Sequence, residues 1–123
     1  MRPAFVDEKG VKWDTNAADL EGVMSKKSKW LGEWRERYFI LKGPKIFFTK
    51  SPTDAPHGII HLVDCVGVED VKQSYKDHTL EIIMRSDERF ILSAGSKQNK
   101  DAWISSINRA IAIATSAHYE EFD

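Results

Sequence analysis

The chain holds a single cysteine, Cys65, in 123 residues. A lone thiol forms no internal disulfide, so the fold must rest on its packing, and a reducing compartment such as the cytoplasm is expected. No run of about 18 apolar residues occurs, so no membrane-spanning helix is expected. The start, Met1-Arg2-Pro3-Ala4, matches neither a signal peptide nor a Met-Gly myristoylation site. There is no internal repeat and no low-complexity segment. Catalytic signatures are missing too: no P-loop, no Gly-x-Ser-x-Gly elbow, no HExxH or CxxC metal spacing. The histidines at 57, 61, 78 and 118 lack ligand spacing, so neither a metal nor a cofactor is expected. Cys65 reads as a core thiol, and Asp64, Glu69 and Asp70 read as solvated carboxylates rather than a catalytic pair. An enzyme is not expected. A sequence pI of about 6.4 also argues against an RNA or DNA binder.

What is present is one domain's worth of chain, long enough for a core without metals. Hydrophobic residues make up 41% and charged residues 30%, as in an ordinary globular protein. The net charge of −1 is unevenly spread. Between Ser25 and Lys50 eight basic residues face only Glu33 and Glu36, a local charge of +6 that leaves −7 for the rest. Such polarity turns one end of a molecule toward an anionic surface.

Apolar patterning predicts short strands at 20–25, 34–42, 45–49, 58–62, 66–72, 79–85 and 89–93, parted by polar turns. Gly43-Pro44 marks a tight turn. Seven short strands at this spacing predict an antiparallel sandwich or barrel. The period then changes. Ser96 suits an N-cap, and Trp103, Ile107, Ala110, Ile111 and Ala114 form one apolar helical stripe. The expected fold is mainly β with one C-terminal α-helix covering an open end of the sheets. Residues 1–19 read as an N-terminal extension with possible anchors in Phe5, Val6, Val11 and Trp13. Residues 20–114 form the domain, and 115–123 read as an acidic C-terminal tail.

The segment from Lys26 to Leu41, KKSKWLGEWRERYFIL, is the most informative. Alternate residues of a strand share a face, so Arg35 and Arg37 point together, and Phe39 and Leu41 continue that face as core anchors. Cations at one end and apolar anchors at the other suit a phosphate-binding mouth above a packed core. Lys26 at the end of one strand and Arg37 on the next would converge on one phosphate, Arg with paired donors and Lys as a point charge. Trp30 and Leu31, between those strands, are candidates for insertion into a lipid interface. The alternative is that Trp30 folds back onto the domain. Trp34 reads as structural.

In this order and spacing, Glu21-Gly22-Val23-Met24, the strand from Trp34 to Leu41, Gly58-Ile59-Ile60 and the helical Trp103 resemble the pleckstrin-homology (PH) domain family. The resemblance covers residues 20 to 114. It implies a seven-stranded antiparallel barrel or sandwich capped by an amphipathic helix, a non-enzymatic module, and in many members an anionic phospholipid ligand. Lys26, Ser28, Arg35, Arg37, Tyr38 and Phe39 fit the pattern of phosphoinositide-binding members. Lys27, Lys29, Lys45 and His57 complete the candidate headgroup set. Two positions depart from the tight inositol-polyphosphate binders. Phe48 stands where those members usually have a tyrosine, and His57 where they commonly have arginine.

Fewer phosphate contacts favour a smaller headgroup. Phosphatidic acid presents a bare phosphomonoester near the acyl region, and its second ionisation lies at a pH of about 6 or somewhat above. Nearby cations would favour the dianion over phosphodiester lipids. The sequence is also similar to an acylated PH-domain family of apicomplexans, which implies phosphatidic acid sensing on secretory organelles called micronemes. There an N-terminal glycine and a nearby cysteine carry acyl chains, and no such site stands in this sequence. The expected reading is a monomeric, peripheral membrane module whose partner is phosphatidic acid or a phosphoinositide. The alternative is a protein-interaction domain using a strand edge or the helix face.

Overall fold

The computed structural model describes residues 1–29, 32–72 and 76–120, the last four as helix backbone. Two short strands come first, β1 (Phe5–Val6) and β2 (Lys12–Trp13). The main sheet contains β3 (Leu20–Lys27), β4 (Trp34–Lys42), β5 (Lys45–Thr49), β6 (Gly58–His61), β7 (Cys65–Val71), β8 (Thr79–Met84) and β9 (Arg89–Ser93). A single 3-10 turn, Leu62–Asp64, precedes β7, and helix α1 (Lys97–Glu120) follows β9. The sheet order is β6-β5-β4-β3-β9-β8-β7, with every neighbouring pair antiparallel. The expected seven-stranded antiparallel architecture with one C-terminal helix is the observed one.

Strand β3 is the pivot. It pairs with β4 from Leu20↔Leu41 to Lys27↔Trp34, but with β9 only at Ser25↔Ser93 and Lys26↔Leu92. Beyond that short junction the two halves of the sheet separate and enclose one core. Met24, Phe39, Leu41, Ile46 and Ile60 enter it from one half, Leu80, Ile82 and Leu92 from the other. Helix α1 adds Trp103 and Ile107, both fully buried. The Trp103 ring meets Phe39 edge to face, with centroids 6.5 Å apart. Truncating such an aromatic costs about 3–5 kcal/mol, so the helix is an integral wall of the core.

Local chemistry explains the boundaries. Strand β4 stops where Gly43 takes a φ of 57°, a conformation that side chains disfavour. The Ser96 hydroxyl accepts the Asn99 N–H at 3.1 Å, the expected N-cap of α1. No glycine or proline follows Gly95, so the helix continues to Glu120, into the stretch expected to be a tail.

The first 19 residues are also built into the fold. Strands β1 and β2 form a hairpin, and Phe5 packs with Ile40 and Phe47 on the outer face of β4 and β5. Arg2 is buried. Its guanidinium donates to Thr15 Oγ1 at 2.9 Å, to Glu21 Oε2 at 3.0 Å and to the Pro52 carbonyl at 3.0 Å.

Candidate functional site

Directly opposed residues of an antiparallel pair share a face. On the inner face, Leu20↔Leu41, Gly22↔Phe39, Met24↔Arg37 and Lys26↔Arg35 follow one another toward the end of β3 and β4. The first of these positions are apolar and packed in the core. The last present cations. The barrel interior therefore ends in a positively charged mouth.

That mouth is a cleft of about 430 Å³. Strands β3 and β4 supply Lys26, Arg35 and Arg37, and the turn between them supplies Ser28 and Lys29. Phe48 and His57 form a second wall from β5 and the loop before β6. Glu88 from the β8–β9 turn and Phe90 from β9 close the third side. The His57 ring stands edge-on to Phe48 at 5.2 Å between centroids. Its backbone N–H donates to the Phe48 carbonyl at 3.0 Å. Gly58 is required beside it, because a Cβ there would run into the Phe48 ring.

The electrostatics are lopsided. The half-buried Lys26 ammonium lies 5.5 Å from the Phe48 ring centroid and 5.8 Å from that of Phe90. Among the described residues no carboxylate forms an ion pair with it or with Arg37. Burial holds the Lys26 amine below the ordinary lysine range, and repulsion from Lys29, Arg37 and Arg35 adds to that. Arg37 donates to the Glu36 carbonyl at 2.7 Å. Arg35 approaches Glu33 at 3.8 Å, but both side chains are exposed and the pair is weak. Lys29 has a close carboxylate, that of Glu88. Burial, then Arg37, Lys50 and Lys26, hold the His57 imidazole below its usual range.

Five of the nine residues predicted for the site meet in this cleft: Lys26, Lys29, Arg35, Arg37 and His57. Lys27 does not, because pleating turns it to the outer face opposite Trp34. Lys45 is on the outer face as well, at the far end of the β4–β5 hairpin. Its ammonium sits 4.3 Å from the Trp13 ring centroid, where it holds the N-terminal hairpin. Trp30 and Leu31 lie outside the described residues. Glu88 and Phe90 went unpredicted. They reach the cleft through the two-position β3–β9 pairing, which leaves no local signature in the sequence. Cys65 is buried as expected, and burial pushes its thiol up.

Residues 18–112 match the family model described as PH domain. "Pleckstrin homology domain-containing protein 1" of Arabidopsis thaliana is 30% identical over 118 residues, covering 89% of this chain and 79% of that protein. "Pleckstrin homology domain-containing family A member 8" of Homo sapiens is 26% identical over 102 residues, 83% of this chain and 20% of that protein. The chain thus corresponds to most of the first relative and about a fifth of the second. Among solved structures, the C-terminal PH domain of pleckstrin in complex with D-myo-Ins(1,2,3,5,6)P5 superposes with a TM-score of 0.70. It is 27% identical, and the match covers 80% of this chain and 99% of that one. These matches do not support the narrower likeness to an acylated apicomplexan protein. Fold, core tryptophan and sequence matches agree, and the chain belongs to the PH domain family.

Proposed function

We propose that this domain is a peripheral membrane module that recognises the phosphate headgroup of an anionic lipid, with phosphatidic acid preferred. The observation that carries the reading is Lys26: a half-buried ammonium directly opposite Arg35, beside Arg37, with no carboxylate pairing among the described residues. Like charges directly opposed across strands destabilise a sheet, and a phosphate dianion between them would turn repulsion into attraction. Lys26, Arg35 and Arg37 supply three positive charges on one wall. Phe48 offers no hydroxyl, His57 is held toward its neutral form, and Glu88 adds a carboxylate to the lining. That supply suits one phosphomonoester better than a ring bearing several.

Trp30 and Leu31 follow Lys29 in sequence, so their insertion beside the cleft remains part of the proposal. On this reading the chain sits on a phosphatidic-acid-bearing surface, such as that of a secretory organelle, and acts by binding rather than catalysis. No helix among the described residues is long and apolar enough to cross a membrane. A phosphoinositide is the second reading, favoured by the inositol pentakisphosphate bound to the pleckstrin domain of the same fold.

Sedimentation with phosphatidylcholine vesicles carrying phosphatidic acid, phosphatidylinositol bisphosphate or phosphatidylserine at matched charge tests the reading. Phosphatidic acid should bind best, and Lys26→Ala or Arg37→Ala should each weaken it roughly tenfold or more, as for lost charge-assisted contacts. Equal binding to phosphatidylserine would leave only diffuse charge attraction and sink the proposal. Retained partner-protein binding in these variants would point to the protein-interaction alternative.

A further inference from the structure

Among the described residues the cleft has one acidic wall residue, Glu88. Glu88 projects from the β8–β9 turn, whereas Lys26, Lys29, Arg35 and Arg37 come from β3, β4 and the turn between them. Its carboxylate pairs with the Lys29 ammonium. Lys29 also lies 5.4 Å from the Phe90 ring centroid, so two residues of the β8–β9 side draw it across the mouth. The Phe90 ring sits 5.8 Å from the Lys26 ammonium. Both partners of the pair are partly exposed, at 47% and 41%, so it can exchange without unfolding anything.

Two consequences follow from simple electrostatics. A compact phosphate held by Lys26, Arg35 and Arg37 stays on the cationic wall and leaves the Lys29–Glu88 pair intact. A wider headgroup with phosphates on both sides of its ring meets the Glu88 carboxylate on the β8–β9 side. Like-charge approach in a partly enclosed cleft disfavours that ligand, and specificity often comes from such a repulsive element.

We propose that Glu88 is a specificity-determining residue, an internal anion that neutralises Lys29 and excludes multiply phosphorylated headgroups from the β8–β9 side of the cleft. This rests on the lipid reading above and names what would narrow its choice. Removing the charge frees Lys29 and opens the β8–β9 side to a second phosphate, while the wall that holds the first phosphate is unchanged. The effect is therefore a change of preference rather than a uniform gain.

The experiment compares the full chain with Glu88→Gln on phosphatidylcholine vesicles containing either phosphatidic acid or phosphatidylinositol bisphosphate at matched charge. Lys26→Ala and phosphatidylserine vesicles accompany both. Glu88→Gln should raise the ratio of bisphosphate to phosphatidic acid binding roughly fivefold or more. In Lys29→Met the same Glu88→Gln substitution should produce a much smaller gain, because no freed ammonium remains to recruit. An equal gain for every anionic vesicle would show that Glu88 only lowers the local potential, and would overturn the inference while leaving the lipid reading standing. An unchanged ratio would overturn it as well. Wild-type binding that ignores Lys26→Ala or does not exceed phosphatidylserine binding would bring down the lipid reading, and this inference with it.

Discussion

Lys26 and His57 answer to the same local field from two walls of the cleft. The His57 imidazole is held below its ordinary range first by burial, then by Arg37, Lys50 and Lys26. In the unfolded chain a histidine titrates at about pH 6.5. The folded chain takes up that proton at lower pH, so between the two values the unfolded state binds more protons and stability falls with acidification. The stability associated with neutral His57 is complete above the unfolded value and is lost as pH drops from there to the folded value. Ligand-free protein should thus lose Tm between about pH 7.5 and 5.5, and His57→Gln should lose less over the same interval. Identical slopes in the two proteins would remove His57 from the account. A phosphate in the cleft works in the opposite direction, since an adjacent anion favours the imidazolium. Lys26, Arg35 and Arg37 were legible in advance because strand alternation alone puts them on one face. Lys27 and Lys45 fell out by the same rule, as their positions alternate to the other side.

The N-terminal hairpin was the least legible element, and its chemistry shows why. Strands of two residues carry no alternation that a sequence pattern can detect. The turn is stabilised by side-chain hydrogen bonding instead. Asp7 Oδ1 accepts the Lys9 and Val11 N–H groups, both at 2.9 Å, and Oδ2 accepts the Trp13 indole N–H at 3.0 Å. Gly10, with a φ of 80°, completes it. What the hairpin covers is the apolar outer face of β4 and β5, where Ile40 is fully buried and Phe47 nearly so. The Phe5 ring meets Phe47 edge to face at 5.7 Å. Phe5→Ala should therefore destabilise the domain by about 3 kcal/mol in urea unfolding, at the low end for a buried aromatic because Phe5 edges a small cluster. Vesicle binding should be retained, since this cluster lies on the face opposite the cleft. A loss below about 0.5 kcal/mol, the range of a surface substitution, would mean that the hairpin does not shield Ile40 and Phe47. By contrast, β4 was bounded correctly in advance because Gly43-Pro44 interrupts the chain at one end and charge density marks the other.

For the whole molecule, the basic segment from Ser25 to Lys50 does not act as one patch, because two antiparallel reversals fold it across the barrel. Its middle, Lys42 and Lys45, goes to the far end of the sheet and is occupied there. Lys42 donates to the Asp14 and Asn16 carbonyls at 3.0 and 2.7 Å, and Lys45 covers Trp13. Its first half, Lys26 to Arg37, meets the loop carrying His57 at the cleft, and the end of the segment returns there with Phe48 in the lining and Lys50 acting on His57. Sequence counting therefore registered the charge but not its division between two ends. The division has a measurable consequence. Attraction between an exposed basic surface and a membrane is screened over about 8 Å at 0.15 M salt, whereas partly buried contacts are screened much less. Phosphatidylserine vesicles should engage only the diffuse field of exposed cations such as Lys27 and Arg35. Phosphatidic acid should also reach half-buried Lys26. Raising salt from about 0.05 to 0.3 M should thus weaken phosphatidylserine association more steeply than phosphatidic acid association. Lys26→Ala should make the two dependences parallel. If they are already parallel in the wild type, the cleft adds nothing to surface charge, and three cations at the end of a barrel interior would need another explanation.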